Sequence, residues 1–414
     1  MSTAISSFAS GLTVETAFDV LAIAQRHKAA GKDVVFLQIG DSPFPATAHG
    51  KKAAIDAVNA DQSHYCPSRG LVSFRESISK FYNREFGTNV TADHVVVSPG
   101  AKVLEQFFCE AFLNQGDSVL VFSPHFPTYP PNIDRRGAKA VYVPLKEEHQ
   151  FRPQLKDVEH FLKTAPKPRA IFLNSPHNPT GGVATLEDLK GIADLIRGKD
   201  VMVMSDEPYA HMVWEGRHHS ILECPGMIDQ AVAVFTFSKS YSMSGYRVGF
   251  GITKPEYADL IGKLINTSLS CVPPITQLAA QAALDFDMKE RDETMLKFKK
   301  KVEILVAALK KVPDVTVEMP KGTFYVFPNV SKICHRLGIT SHGLAMFLLE
   351  AADDKFGVAC LGGECFGPAG MGYLRFSCAE PDDKLVKAVE FLTEAVKRTD
   401  RVEKYLAAHA KYKL

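Results

Sequence analysis

Apolar residues recur at helical spacing over residues 13–30 and stop before Gly31, after which the run Val34 to Ile39 closes on Gly40. The first pattern predicts a helix and the second a strand. The loop that follows, DSPFPAT, is punctuated by proline, and a glycine at its head lets a ligand approach the backbone. Residues 51–60 read as a short helix. Beyond them a loop containing Tyr65, Pro67 and Gly70 runs into an amphipathic helix.

The next stretch, HVVVSPGAKVLEQFFCEAF, reads as strand, glycine turn and helix. It delivers Gly100, Ala101 and Lys102 onto a first helical turn, where free N–H groups and the positive end of the dipole suit a phosphate. Neither G-x-G-x-x-G nor G-x-x-x-x-G-K-[ST] occurs there, which argues against nicotinamide and triphosphate chemistry. The runs DSVLVFSP, AKAVYVPL, PRAIFLNSP, VMVMSDEPYA and AVAVFTFSK are short buried strands, with helices such as residues 186–196 between some of them. That alternation predicts an α/β fold with a largely parallel sheet between helices. Ligands then gather at the carboxyl ends of the strands, which carry Ser123 to Phe126, Asn174 to Asn178, Asp206 to Tyr209, and Ser238 with Lys239.

After Ala283 the pattern becomes a charged helix with one apolar face. The strand GTFYVFPNV, a helix over residues 342–352, the glycine-rich turn LGGECFGPAG, the strand MGYLRFSC and one final amphipathic helix then make a small α+β domain.

Composition narrows the function without naming it. A chain of 414 residues, 46% hydrophobic and with a net charge of +1, is long enough for a large core and a second domain, and carries no global field for nucleic acid or an anionic membrane. Its eight cysteines are scattered without a CxxC pair, so neither a disulfide framework nor a zinc site is expected. With no charged leader before an apolar run and no stretch of about 18 apolar residues, the expectation is a cytoplasmic protein.

The stretch from Thr236 to Gly251, TFSKSYSMSGYRVGFG, carries the chemistry. Lysine is a useful nucleophile when its surroundings keep it partly neutral beside a carbonyl, and Lys239 stands among hydroxyls with glycines close behind. Thr236, Ser238 and Arg247 would hold a phosphate while Lys239 forms an imine with an aldehyde on the same molecule.

Seven motifs in order, SHYCPSRGLVSFR, SPGAK, NSPHNPTGG, SDEPY, SKSYSMSGYRVG, GTFYVFP and GPAGMGYLRFS, make the chain resemble the fold-type I pyridoxal 5'-phosphate (PLP) aminotransferases of class I/II, the branch that includes prokaryotic-type aspartate aminotransferases. The resemblance covers essentially the whole chain. It implies a large domain (46–284) with a mostly parallel seven-stranded sheet, a connecting helix and small domain (285–414), and an N-terminal arm joined to the small domain (1–45). Carried over residue by residue, it makes Lys239 the covalent anchor and proton shuttle, Asp206 the partner of the pyridine nitrogen, and Tyr209 and Asn178 partners of the phenolic oxygen, with Asn174 behind them. Phe126 would stack on the ring, while Gly100, Ala101, Lys102, Thr236, Ser238 and Arg247 would hold the phosphate. Tyr65 would reach the phosphate in a neighbouring subunit, which implies a homodimer with shared active sites. Arg375 and the backbone of Gly40 would take the substrate's α-carboxylate, with Asn178 beside them. Cis peptides are implied at Asn178-Pro179 and at Ser123-Pro124.

The sequence departs from the commonest family pattern at Phe126, Thr236 and Pro208 and in DSPF after Gly40, and no residue identifies itself as a partner for a side-chain carboxylate. The leading expectation is amino transfer from an L-amino acid, aspartate first, to a 2-oxoacid such as 2-oxoglutarate by a ping-pong route. A carbon-sulfur β-lyase would share every cofactor residue. A non-catalytic PLP-binding regulator is disfavoured, because Lys239 with Arg375 would be needless for sensing.

Overall fold

The computed structural model describes residues 5–12 and 16–414; the expected helix start at residues 13–15 and the first residues of the expected arm, 1–4, lie outside the described residues. In chain order the strands are β1 (Asp33–Phe36), β2 (Val95–Ser98), β3 (Ser118–Ser123), β4 (Lys139–Pro144), β5 (Pro168–Asn174), β6 (Met202–Asp206), β7 (Ala231–Thr236), β8 (Gly249–Ile252), β9 (Tyr325–Val326), β10 (Phe356–Ala359), β11 (Leu361–Gly362) and β12 (Leu374–Ser377). The largest sheet has seven strands in the order β2-β8-β7-β6-β5-β3-β4, parallel throughout except for β8, which runs antiparallel to both neighbours.

The alternation of side chains explains why this sheet is covered on both faces. Along β3, Val119 and Val121 pack into one buried cluster while Leu120 and Phe122 pack into another, and on β5 Ala170 and Phe172 divide from Ile171 and Leu173 in the same way. The helix Ala101–Phe112 covers the first face with Leu104, Phe107 and Phe108. The second face takes Phe74, Ile78 and Tyr82 from the helix Val72–Phe86 and Leu189, Ile192 and Ile196 from Leu186–Ile196. The central strands β3, β5, β6 and β7 therefore read as nearly continuous apolar runs. Six of the seven strands fall where the sequence predicts them; β8 is the addition.

A separate core is built around the 22-residue helix Met288–Leu309, whose Met295, Phe298, Val302, Leu305 and Leu309 recur at helical spacing and are buried. Residues from both ends of the chain join it. Val20 and Ala24 of the helix Thr16–Ala29 and Val34 and Val35 of β1 pack with the C-terminal third, and β1 pairs in parallel with β10. A three-stranded antiparallel sheet, β11-β12-β9, completes this layer.

Three elements differ from their sequence expectations. The ladder of β1 stops at Phe36, after which Leu37 N–H donates to Ala359 O and Ser377 N–H donates to Leu37 O, so the chain up to Gly40 is held singly. The run GTFYVFPNV shrinks to the two residues of β9. The final helix is two, Asp382–Ala395 and Thr399–Ala408, broken where Arg398 leaves the helical region at ψ 62° and its guanidinium donates to Ala352 O and, at 2.9 Å, to Asp353 Oδ2. Asn178-Pro179 and Ser123-Pro124 are cis, as expected, and so is Ser175-Pro176. Among the described residues no helix is long and apolar enough to cross a membrane.

Candidate active site

The parallel strands of the large sheet end on one edge, where a cavity of about 480 Å³ opens against the second core. Lys239 enters it from the short helix Phe237–Ser240, which begins directly after β7 and is capped by the Thr236 hydroxyl accepting from Ser238 N–H at 3.2 Å. The Lys239 amine donates to Gly40 O at 2.5 Å, so the tip of the lysine touches the loop after β1.

Asp206 is the last residue of β6 and stands beside Asn174, the last residue of β5, in register. Tyr129 donates its hydroxyl hydrogen to Asp206 Oδ2 at 2.6 Å, and the Asn174 amide donates to Asp206 O at 2.9 Å. Asp206 Oδ1 is buried without a hydrogen-bond partner. Burial, the largest cause, and the neighbouring Glu207 charge push the Asp206 carboxyl up to about 7, against the pull of the Tyr129 bond and the Lys239 charge. An orphaned carboxylate oxygen in a dry site is a strong acceptor for a cationic N–H.

This shift makes a stability prediction for the cofactor-free protein. Between pH about 4, where an unfolded aspartate ionises, and about 7, folded Asp206 keeps a proton that the unfolded chain has lost. The folded state binds more protons in that window, so stability falls as pH rises through it. Asp206→Asn removes this contribution. Urea midpoints taken at intervals from pH 4 to 7 should show a shallower decline for the variant; parallel curves would mean that Asp206 does not titrate there.

On the second-core side of the cavity, Arg375 of β12 is 2% exposed. Its Nη1 donates to Asn178 Oδ1 at 3.0 Å and its Nη2 to Gln38 O at 2.6 Å, while Nε has no partner. Asn178 is itself fixed by its N–H donating to Asn174 Oδ1 at 2.8 Å. A buried guanidinium stays folded only where partners compensate its desolvation, and here the two bonds and flanking aromatic rings do so, leaving hydrogen-bonding capacity for an anion. Tyr209 lies between the two groups, its hydroxyl 3.1 Å from that of Tyr325.

At the opposite end of the cavity, Gly100 caps the helix Ala101–Phe112 with φ +86°, and a β-carbon there would fall 2.6 Å from Arg247 Nη2. The glycine gives both the left-handed turn and room for the guanidinium. Arg247 is anchored to Ser244 O at 2.8 Å and Pro99 O at 3.2 Å. Its own φ of +53° costs about 1 kcal/mol for a residue with a side chain. The Thr236 and Ser238 hydroxyls, 2.8 Å apart, complete a cradle of guanidinium, hydroxyls and helix N-terminus for an anion. Phe126 forms one wall, and the Lys102 amine lies 5.3 Å from its ring centroid.

Ala101, Lys102, Phe126, Asn174, Asn178, Asp206, Tyr209, Thr236, Ser238, Lys239, Arg247, Gly40 and Arg375 all line this one cavity, and Gly100 borders it through Arg247. Tyr65 stands apart, 87% exposed. The sequence reading passed over Tyr129, Tyr325, Phe18, Asp41 and Glu105, all of them at or behind the cavity wall. Tyr325 had a signal, since it sits inside the motif GTFYVFP. Tyr129, in the proline-rich turn after β3, had none.

Residues 32–392 match the family described as aminotransferase class I and II. The chain is 31% identical over 368 residues to an aspartate aminotransferase of Pyrococcus horikoshii, covering 88% of this chain and 91% of that one. It is also 31% identical over 368 residues to an arginine–pyruvate transaminase of Pseudomonas aeruginosa, covering 89% of each. The solved structure of an aspartate aminotransferase from Thermus thermophilus with maleate superposes with a TM-score of 0.88 at 27% identity, over 95% of this chain and 100% of that one. A family match over residues 32–392, with a relative 31% identical over most of the chain, settles its kinship: the chain belongs to the class I and II aminotransferases.

Proposed function

We propose that this transaminase moves the amino group of an L-amino acid, aspartate first, to a 2-oxoacid such as 2-oxoglutarate by a ping-pong route. The observation that carries the reading is the convergence of the Lys239 amine, the Asp206 carboxylate and the Arg375 guanidinium on one cavity. The aspartate preference is supported by the names of the relatives in Pyrococcus and Thermus. Class I and II aminotransferases use PLP, which when bound supplies an aldehyde to receive the amino group and an electron-poor ring to draw electrons from the substrate's α carbon.

The residues present fit that group. Asp206 Oδ1, buried and unpartnered, suits a protonated ring nitrogen, whose cation would also compensate the cost of ionising Asp206. The cradle of Gly100, Ala101, Lys102, Thr236, Ser238 and Arg247 suits the phosphate, and Phe126 the ring face. Tyr209 and Asn178 would donate to the phenolic oxygen, Asn174 holding Asn178 in place. Lys239 would anchor the cofactor and, once released by substrate, take the proton from the donor's α carbon; in the second half of the ping-pong cycle the same amine would supply the proton to the α carbon that the 2-oxoacid brings. Arg375 and the Gly40 backbone orient the α-carboxylate, so that the α C–H faces the lysine.

We further propose a homodimer in which Tyr65 completes the partner's cradle, in keeping with its exposure, and a division into residues 46–284, 285–414 and an N-terminal segment, 1–45, that joins the latter. Eight free thiols suit a reducing, cytoplasmic setting. Incubation of the holoenzyme with a panel of amino acids and oxoacids tests the reaction. Amino transfer with aspartate and 2-oxoglutarate supports the proposal, whereas pyruvate and thiol from cysteine conjugates, without transfer, would replace it with β-elimination.

A further inference from the structure

Tyr325 touches three of the groups just assigned, and the register of the small sheet puts it there. It pairs with Ser377 across β9 and β12, so Arg375, two residues along the same face, is its diagonal neighbour. The Arg375 guanidinium carbon lies 4.3 Å from the centroid of the Tyr325 ring and 4.7 Å from that of Phe366, two aromatic faces against one cation. At its other end, the Tyr325 hydroxyl is 3.1 Å from that of Tyr209. The same hydroxyl lies directly on Gly40, where an added β-carbon would come within 1.6 Å of it. Tyr325 is 2% exposed, so these contacts are made out of water, where hydrogen bonds and cation–π contacts are strongest.

We propose that Tyr325 is a positioning residue serving both ends of the site: its hydroxyl orients and polarises Tyr209, and its ring supports and aims Arg375. The two roles separate chemically. A tyrosine hydroxyl that spends its hydrogen on the cofactor's phenolic oxygen can still accept one, so the chain runs from Tyr325 O–H to Tyr209 O–H to that oxygen, each bond strengthening the next. The ring acts through its π face and needs no hydroxyl. This inference rests on the proposed roles of Tyr209 and Arg375.

The test uses holoenzymes of the wild type and of Tyr325→Phe, Tyr325→Leu and Tyr209→Phe, and two measurements: the pH midpoint of the visible absorbance of the lysine-linked cofactor, and the dissociation constant of maleate as a non-reacting dicarboxylate. A hydrogen bond donated to the phenolic oxygen draws its charge away from the neighbouring lysine-linked nitrogen, which then holds its proton less tightly, so Tyr209→Phe should raise the midpoint. Tyr325→Phe should move it the same way by roughly a third as much, with maleate affinity and KM for aspartate unchanged. Tyr325→Leu should add a loss of maleate affinity on the order of tenfold. If Tyr325→Phe leaves the midpoint in place while Tyr209→Phe moves it, the hydroxyl role is overturned and the cofactor assignment stands. A midpoint that moves in neither variant removes Tyr209 from the phenolic oxygen and takes the inference with it. Wild-type maleate affinity in Tyr325→Leu overturns the ring role. Should the leucine variant fail to fold, loss of maleate affinity in Tyr325→Phe, which keeps the ring, overturns that role instead.

Discussion

Lys239→Ala is expected to lose the visible absorbance of the lysine-linked cofactor and to lower turnover by about 10⁴-fold or more, while the cofactor stays bound through its phosphate. The size of the effect follows from two duties falling on one amine. In the proposed roles the covalent anchor and the proton carrier are the same atom, and its immediate neighbours supply no second amine: the Ser240 hydroxyl is engaged with His211 Nδ1 at 2.9 Å, and the Gly40 carbonyl, which accepts from the lysine, carries no proton. The other parts of the site are set by other elements, Arg247 and Gly100 by the cradle and Asp206 by β6, so the variant should fold and retain phosphate affinity. Absorbance spectra, gel filtration with bound-cofactor assay and single-turnover rates decide the matter. Substantial transaminase activity in the variant would require a different anchoring lysine.

Arg375→Lys should keep the cofactor and its spectrum yet lose catalytic efficiency with amino acids by about a hundredfold or more, roughly 3 kcal/mol. A lysine offers a point charge where the planar fork offers aligned N–H groups. It would also forgo the Asn178 and Gln38 bonds that fix the fork between the loop after β5 of the large sheet and the segment that follows β1. Amines without a carboxylate should be nearly unaffected, because only the α-carboxylate senses the loss. A variant that bound amino acids normally but shed its cofactor would show that Arg375 serves the cofactor or the fold.

The large sheet was legible in the sequence because most of its strands are buried on both faces. Runs such as Val119 to Phe122 leave no polar position to confuse with a turn or an amphipathic helix. β8 escaped for the opposite reason: its four residues, GFGI, include two glycines, and only antiparallel pairing to β2 and β7 makes them a strand. The cavity-lining residues were accessible through ordered motifs at strand ends. Their supports were not. Tyr129 meets Asp206 across 77 residues and Tyr325 meets Tyr209 across 116, and local pattern carries no trace of such contacts. The break between the last two helices belongs with them, since Arg398 there meets the distant Ala352 and Asp353 while the helical periodicity runs straight through.

The pairing of β1 with β10 has a consequence for the chain as it leaves the ribosome. Lys32, at the head of β1, finds its acceptor Leu349 O 317 residues later, so on the order of 15–60 seconds of synthesis separate the two. Over that interval Val34, Val35 and Leu37, at most 4% exposed in the finished fold, lack β10 and the rest of the second core, with only the helix Thr16–Ala29 of that core made before them, and an unpaired apolar strand invites wrong partners. The strands of the large sheet, by contrast, all emerge between residues 95 and 252 and can assemble among themselves. The sheet edge that carries Gly100, Thr236 and Lys239 can therefore assemble before Arg375 has been made, whereas Val34 and Val35 wait for β10.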